Sequence, residues 1–409
     1  MATLRVLELY SGIGGMHYAL QESGIPAQVV AAIDINTTAN QIYRHNFPDT
    51  PLWNKTIEGI TVDDFNKLSF DMILMSPPCQ PFTRIGLQGD IADPRTKSFL
   101  YILDILPRLC RRPRFILLEN VKGFETSSAR GLLVKTLSEC GYTFQEVMVS
   151  PISVGIPNSR LRYFLIARIS SEELKVSEIL DAFPLTAESD SSNQPTVLSP
   201  ILSPPTGQSE NNMEGSHILY KLETTTDAQR KMDQNKDLSV RQIKDFLEPH
   251  VEDSMEQHLL PPKTLLRYSF LLDIVKPTCR RSVCFTKGYG RYVEGTGSVL
   301  QCCTETEVGF IVFTGLDQCS EEEKVQQLSK LKLRYFTPRE VANLMGFPQS
   351  FCKSITCVKP QILHVLCNIA VSLCIRCSRK MAASPLQQLD SLTNMKPKYR
   401  KVYAMYSVL

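Results

Sequence analysis

Short apolar runs alternate with helix-spaced segments over the first 170 residues of this chain, and each run ends on a polar or glycine-rich break. No other feature limits its fold as strongly. A strand-length apolar run, then a helix, then another such run is the pattern of a parallel sheet with crossover helices. Strands are expected at residues 4–10, 27–33, 70–75, 115–118, 144–149 and 162–167, and helices at 16–22, 36–46, 98–109 and 132–140. The expected class is α/β, a doubly wound parallel sheet. Ligands in such sheets sit beyond the carboxyl ends of the strands. Ser11 to Gly15, Asp34, SPPCQPFTRIG (76–86) and Glu119-Asn120 all fall at those ends.

Gly12, Gly14 and Gly15 lie between a strand and a helix. Glycine lets a ligand approach the backbone, and a helix start presents free N–H groups. The dinucleotide fingerprint is incomplete, because His17 stands where its third glycine would be. Asp34 closes the next strand, placed to accept from a ribose diol. A tight strand–helix turn with a capping Asp accounts for the same pair of features.

Pro77, Pro78 and Pro81 stiffen the backbone around Cys79. A nucleophilic thiol must be held at one position facing its substrate, and a buried structural cysteine has no such need. The plain alternative is a proline-rich turn with an incidental thiol. Reactivity requires a thiolate fraction, which nearby positive charge favours. Arg84, Arg160 and Arg162 are the candidates to supply it. Glu119 follows an apolar strand and serves either as a loop cap or as a partner for a ring nitrogen. Arg160 and Arg162 alternate, so both guanidiniums would share one side of a strand. That suits carbonyl or phosphate contacts, or a solvated edge. Arg108, Arg111, Arg112 and Arg114 read either as a phosphate-contacting patch or as a solvated loop.

Composition changes after residue 170. Between Thr186 and Glu210, 13 of 25 residues are Ser, Thr or Pro, too little apolar surface to offset ordering entropy. The expected organisation is a catalytic domain over 1–170, a largely disordered insert over 171–237, and a target-recognition region over 238–333. The catalytic domain is then rejoined over 334–358, and a basic, cysteine-containing tail follows over 359–409. Residues 279–300 suggest short strands and turns with a basic, aromatic surface. FTPREVANLMGFP (336–348) predicts a helix with a Thr cap, Pro at its first position and an end at Gly346.

Composition excludes several classes. No apolar run reaches the roughly 18 residues of a membrane span, and the first residues lack the pattern of a signal peptide. The 13 cysteines are therefore expected as thiols rather than a disulfide framework. Cys374 and Cys377 form a C-x-x-C with no second ligand pair at suitable spacing, so no metal is expected. A net charge of +3 neither requires nor excludes a nucleic acid partner.

Taken in order, LELYSGIGG, SPPCQPFTRIG, LLENVKGF and NSRLRYFLIA resemble the cofactor loop, catalytic loop, Glu-Asn-Val and Arg-x-Arg motifs of the cytosine-5 methyltransferase family. Cys284-Phe285-Thr286 and KLRYFTPREVANLMGFP further resemble its RNA-acting branch, which acts on aspartate tRNA. The likeness covers about residues 4–170 and 236–350. It implies a Rossmann-like methyltransferase sheet, S-adenosylmethionine as cofactor and a tRNA anticodon loop as substrate. It also implies roles. Cys79 would attack C6 of cytosine, Glu119 would hold N3 and the exocyclic amine, Arg162 would contact the base carbonyl, and Arg160 would support the site. Ile13, Gly14, Gly15, Asp34, Ile57, Glu58 and Ser76 would hold the cofactor. Duplex DNA is expected to be a weak partner, since no zinc module, basic arm or groove-reading helix is visible. A cytoplasmic monomer is expected, with nuclear entry open.

The likeness fades after Phe347-Pro348. The family carries a Gly-Asn-Ser segment near its end; here Asn368 is flanked by Cys367 and Ile369. That departure puts one wall of the methionine pocket in doubt and leaves a catalytically impaired, RNA-binding form as an alternative. The apolar stretch 362–375 would be a substitute helix covering the sheet edge.

Overall fold

A computed structural model describes residues 3–83, 89–169, 225–249, 256–303 and 319–351. The Ser/Thr/Pro-rich insert over 186–210, Arg84, the Gly-Asn-Ser departure, the C-x-x-C and the tail lie outside these residues.

Seven strands form the main sheet: β1 (Leu4–Leu9), β2 (Ala27–Ile33), β3 (Leu52–Trp53), β4 (Met72–Met75), β5 (Phe115–Val121), β6 (Tyr142–Val149) and β7 (Arg162–Ile169). Their order is β3-β2-β1-β4-β5-β7-β6. The first five in chain order run parallel to one another, joined by α1 (Gly15–Glu22), α2 (Thr37–Asn46), α3 (Val62–Leu68) and α4 (Lys97–Ile105). Helix α5 (Ser128–Glu139) crosses over to β6. The doubly wound α/β expectation holds, with one correction. β7 runs antiparallel to both β5 and β6 and lies between them. The β6–β7 link contains only a 3-10 turn, Pro151–Val154, and a connection without a crossover helix returns the chain antiparallel.

Local chemistry explains the element ends. Asn36 caps α2 by accepting from the Ala39 N–H, and Thr61 with Asp64 forms a capping box on α3. Apolar side chains alternate between the sheet's two faces. On one face Val6, Leu74 and Leu117 pack with Met16, Ile42 and Tyr43 of α1 and α2. On the other, Leu7, Ile73 and Leu118 pack with Phe65, Phe99 and Leu133 of α3, α4 and α5.

The later segment is tied into the first core. Ile243, Phe246, Phe285, Tyr289 and Leu300 are buried in the same cluster as Val6 and Ile13. The expected aromatic surface at 279–300 is therefore corrected: Phe285 and Tyr289 turn inward, and only Tyr292 of these three is exposed. Helix α6 (Thr225–Lys236) begins before the expected return of order near Leu238. Ala228 and Met232 are the only apolar residues in its sequence, too few to give a sustained apolar stripe. Lys231 pairs with Asp273, and Asn235 accepts from the Arg280 N–H.

A small sheet holds β8 (Ile274–Val275), β9 (Val299–Gln301) and β10 (Leu333–Arg334), in the order β10-β9-β8. Helices α7 (Pro262–Tyr268) and α8 (Glu321–Ser329) pack by it through Leu265, Leu328 and Leu331. The boundary expected at 333/334 thus falls inside β10. Helix α9 (Pro338–Leu344) has Thr337 as cap and Pro338 at its start, and Gly346 follows at φ 83°. Among the described residues no helix is long and apolar enough to cross a membrane.

Candidate active site

The carboxyl ends of β1, β2, β4 and β5 gather two sets of residues. The first surrounds the glycine loop after β1. Gly12 and Gly14 have φ 53° and 84°, the left-handed region where glycine is favoured. The Gly12 N–H donates to Asp34 Oδ2 at 2.9 Å, and the Asn36 N–H donates to Oδ1 at 2.7 Å. Burial pushes the Asp34 carboxyl up, opposed by these backbone donors. Ile13 is fully buried in the core, so only its backbone faces the loop. Gly15 opens α1. Ile57 is buried at the start of a 3-10 turn, and Glu58 beside it is exposed. Ser76 donates from Oγ to the Tyr10 carbonyl at 3.2 Å.

Tyr10 is a residue the sequence reading missed. It is not glycine, yet its φ is 55°, and its hydroxyl donates to Ser98 at 3.0 Å. Burial raises its hydroxyl pKa, with the Ser98 hydrogen bond opposing and the Glu58 and Asp34 charges adding to the rise.

The second set surrounds Cys79. Pro77 is buried, and its carbonyl lies 3.5 Å from the Asn120 side-chain nitrogen. Cys79 caps a 3-10 turn, Gln80–Phe82. Phe82 packs edge-on against Phe124, ring centroids 5.0 Å apart. Gly123 permits that approach: its φ is 110°, and a Cβ there would meet the Phe82 carbonyl oxygen at 2.6 Å.

The reversal of β7 brings the arginines in. Arg162 is the first residue of β7, so it lands at the carboxyl end of β5, opposite Val121. Glu119 is two residues back on the same face, a diagonal neighbour. Arg162 Nε lies 3.3 Å from Glu119 Oε1. Neither atom completes a hydrogen bond within the protein, although both are buried. The expectation that Arg160 and Arg162 share one strand face needs correction: Arg160 precedes β7. It is buried, and its Nη1 donates to the Phe285 carbonyl at 3.0 Å and lies 3.1 Å from Cys284 Sγ. Both guanidiniums still act on Glu119 and Cys79.

Burial pushes the Glu119 carboxyl up to about 7, with Arg162 and Arg160 opposing. Burial also raises the Cys79 thiol, helped by the Glu119 charge and opposed by Arg162 and Arg160. The positive charges expected near the thiol are present in Arg160 and Arg162, but desolvation outweighs them. Arg95, also missed in the sequence, interacts electrostatically with Cys79 while paired with Asp93 at 2.6 Å.

The basic cluster at 108–114 is not part of this site. Arg111 pairs with Asp71 and Arg108 with Asp104, while Arg112 donates to the Cys140 carbonyl. Asp71 and Arg114 immediately precede β4 and β5, so the cluster lies at the opposite end of the sheet. Among the described residues, no group of three or more His, Cys, Asp or Glu side chains gathers as a metal centre would.

Comparison with known proteins gives concordant findings. The family described as "C-5 cytosine-specific DNA methylase" matches residues 4–368. The chain is 59% identical over 363 residues to the tRNA (cytosine(38)-C(5))-methyltransferase of Mus musculus, covering 86% of each chain. It is 54% identical over 397 residues to the protein of the same name from Bos taurus, covering 91% of this chain and all of that one. Among solved structures it is similar to the Dnmt2 methyltransferase of S. pombe, with a TM-score of 0.66 and 33% identity over 96% of this chain and 100% of that one.

Proposed function

The chain belongs to the C-5 cytosine-specific DNA methylase family, and from that premise we propose that it methylates C5 of a cytosine in the anticodon loop of tRNA. The expected substrate is aspartate tRNA, at the position 38 that its relatives' names give. The proposed methyl donor is S-adenosylmethionine. One observation carries the chemistry: the buried Glu119 carboxyl, ion-paired to Arg162 through an oxygen that accepts no hydrogen bond, lies within electrostatic reach of Cys79.

The glycine loop fits the donor. Ser11 Oγ is buried without a hydrogen-bond partner, and Asp34 retains lone pairs for a diol. The backbone of Ile13, Gly14 and Gly15, with Asp34, Ile57, Glu58 and Ser76, would hold it. S-adenosylmethionine supplies an electrophilic methyl group when bound.

The protein's own residues do the rest. The target cytosine leaves its stack, which costs less in a loop than in a duplex. Cys79 Sγ, as thiolate, bonds to C6 of the ring. Protonated Glu119 donates to N3 and accepts from the exocyclic amine, so the electron pair displaced from the 5,6 double bond is stabilised. Arg162 contacts the base carbonyl, and Arg160 holds positive charge behind it. C5 would then take the methyl group of a bound donor, whose carbon–sulfur electron pair would stay on the departing thioether sulfur. The C5 proton then leaves to a base, Sγ is expelled, and the double bond returns. The resting thiol gives up its proton before attack, since the thiolate is the nucleophile.

A tRNA carrying 5-fluorocytidine tests this. Fluorine at C5 blocks proton loss, so the adduct should persist through denaturation. A denaturation-resistant complex with the wild-type protein, absent for Cys79→Ala, is the expected result. Equal complex formation by both proteins would sink the covalent step. The family description favours duplex DNA as a second reading, which would require methylation of DNA at protein concentrations that leave tRNA unmodified. The alternative of an impaired form rests on the departure around Asn368; such a form would bind tRNA and fail to bind the donor.

A further inference from the structure

A buried polar cluster that this chemistry does not use lies beneath the glycine loop. Glu8, on β1, is 1% exposed. Its Oε2 accepts from the Tyr43 hydroxyl at 2.7 Å. The same hydroxyl lies 2.8 Å from His17 Nδ1. The His17 ring stacks on Phe47, centroids 3.8 Å apart and planes 6° from parallel. Phe47 lies directly against the loop: a Cβ on Gly14 would sit 2.3 Å from its Cε2 and 3.1 Å from Cδ2 of Tyr43. Contacts thus run unbroken from Glu8 to the backbone of the loop.

We propose that Tyr43, through Glu8 on one side and His17 and Phe47 on the other, is a positioning residue that holds Gly12 to Gly15 in the shape that binds the methyl donor. This rests on the reading of that loop as the donor site. The hydrogen-bond count has a definite direction. With Tyr43 giving its one proton to Glu8 Oε2, the proton of neutral Glu8 sits on Oε1 and His17 donates to the Tyr43 oxygen from Nδ1. His17 is therefore fixed in the Nδ1–H tautomer and cannot turn without releasing Phe47 from Gly14.

The cluster is also sensitive to pH. Burial holds Glu8 up to about 8, with the Tyr43 hydroxyl and the His17 backbone N–H lowering it and the Asp34 charge raising it. Burial drops His17 to about 4, so it stays neutral throughout. Tyr43 and Asp34 are the titratable groups that act on Glu8, and the neutral His17 ring lies 4.0 Å from its Oε2. Below pH 8 the cluster is uncharged. Above it, Glu8 becomes an anion whose Oε1 is buried without a partner. Relief requires water or movement beneath the loop, and donor affinity falls.

Full-length wild-type, Tyr43→Phe and Glu8→Gln proteins would be titrated with S-adenosylmethionine by calorimetry between pH 6.5 and 9.5. His17 would be followed by nitrogen NMR. Tyr43→Phe, which keeps the ring and removes only the hydroxyl, should weaken donor binding about fivefold to tenfold, the worth of one buried hydrogen bond, and leave tRNA binding in place. His17 should be the Nδ1–H tautomer in the wild type and lose that preference in Tyr43→Phe. Glu8→Gln cannot ionise, so the extra loss of affinity above pH 8 should vanish. Equal donor affinity in Tyr43→Phe and wild type, superimposable pH profiles for Glu8→Gln and wild type, or an Nε2–H His17 in the wild type would each overturn the proposal. If Tyr43→Phe does not fold, the wild-type tautomer and the Glu8→Gln profile still decide it. Absence of donor binding by the wild type would instead overturn the reading of the loop, and this inference with it.

Discussion

Glu119→Gln should change both the rate of methyl transfer and the shape of its pH dependence. Glu119 holds its proton up to about pH 7, while the Cys79 thiol is raised above its ordinary 9.0. The reactive state needs the opposite distribution, with the proton on Glu119 and none on Cys79. Below pH 7 both groups are protonated, and the rate should fall about tenfold per unit as the thiolate is lost. Between pH 7 and the Cys79 pKa one proton is shared by the pair. The reactive isomer is then a constant minor fraction. The profile should be flat there and fall again above. Gln at 119 cannot protonate N3, so kcat/KM should drop about 10²- to 10⁴-fold, or about 2.7 to 5.4 kcal/mol of barrier. The limb near pH 7 should disappear, and the remaining rate should climb with pH until Cys79 ionises. The assay is single-turnover transfer of labelled methyl to tRNA from pH 5.5 to 10. A wild-type rate that increases as pH falls from 8 to 6, or a variant within tenfold of wild type, would refute the reasoning.

Three further outcomes follow from the same geometry. Gly123→Ala forces a left-handed non-glycine residue, costing about 1–2 kcal/mol, and pushes its Cβ at the Phe82 carbonyl. Phe82 lies three residues after Cys79, so kcat should fall more than donor affinity when both are measured. Glu340→Gln leaves buried Arg334, now 2.7 Å from the carboxylate, without its counter-charge. Urea unfolding should show a loss of about 3–5 kcal/mol. Asp34→Ala removes the acceptor for the Gly12 and Asn36 N–H groups; the KM for S-adenosylmethionine should increase about tenfold or more with tRNA binding retained.

The sequence made β1, β2, β4 and β5 and the Cys79 and Glu119 positions legible, because buried parallel strands are written as continuous apolar runs and polar residues at their ends stand out. Strand direction carries no such mark. The reversal of β7 follows from the short β6–β7 link, and it is what brings Arg162 to Glu119. Arg160 depends on Phe285, 125 residues away, which no local pattern predicts. The two-residue strand β3 is too short for a periodic signal. Helix α3 was readable in principle, since Thr61 and Asp64 have capping-box spacing. The buried Glu8, Tyr43 and His17 cluster has no sequence signature, because each residue comes from a different element and only packing unites them.

The most direct measurement places labelled methyl from S-adenosylmethionine on an aspartate-tRNA transcript or on duplex DNA, using wild-type and Cys79→Ala protein, and identifies the labelled base by mass spectrometry. Label at C5 of one anticodon-loop cytosine, only in tRNA and only with the wild type, is the predicted result. Label of the same extent with Cys79→Ala, or on DNA alone, would contradict it.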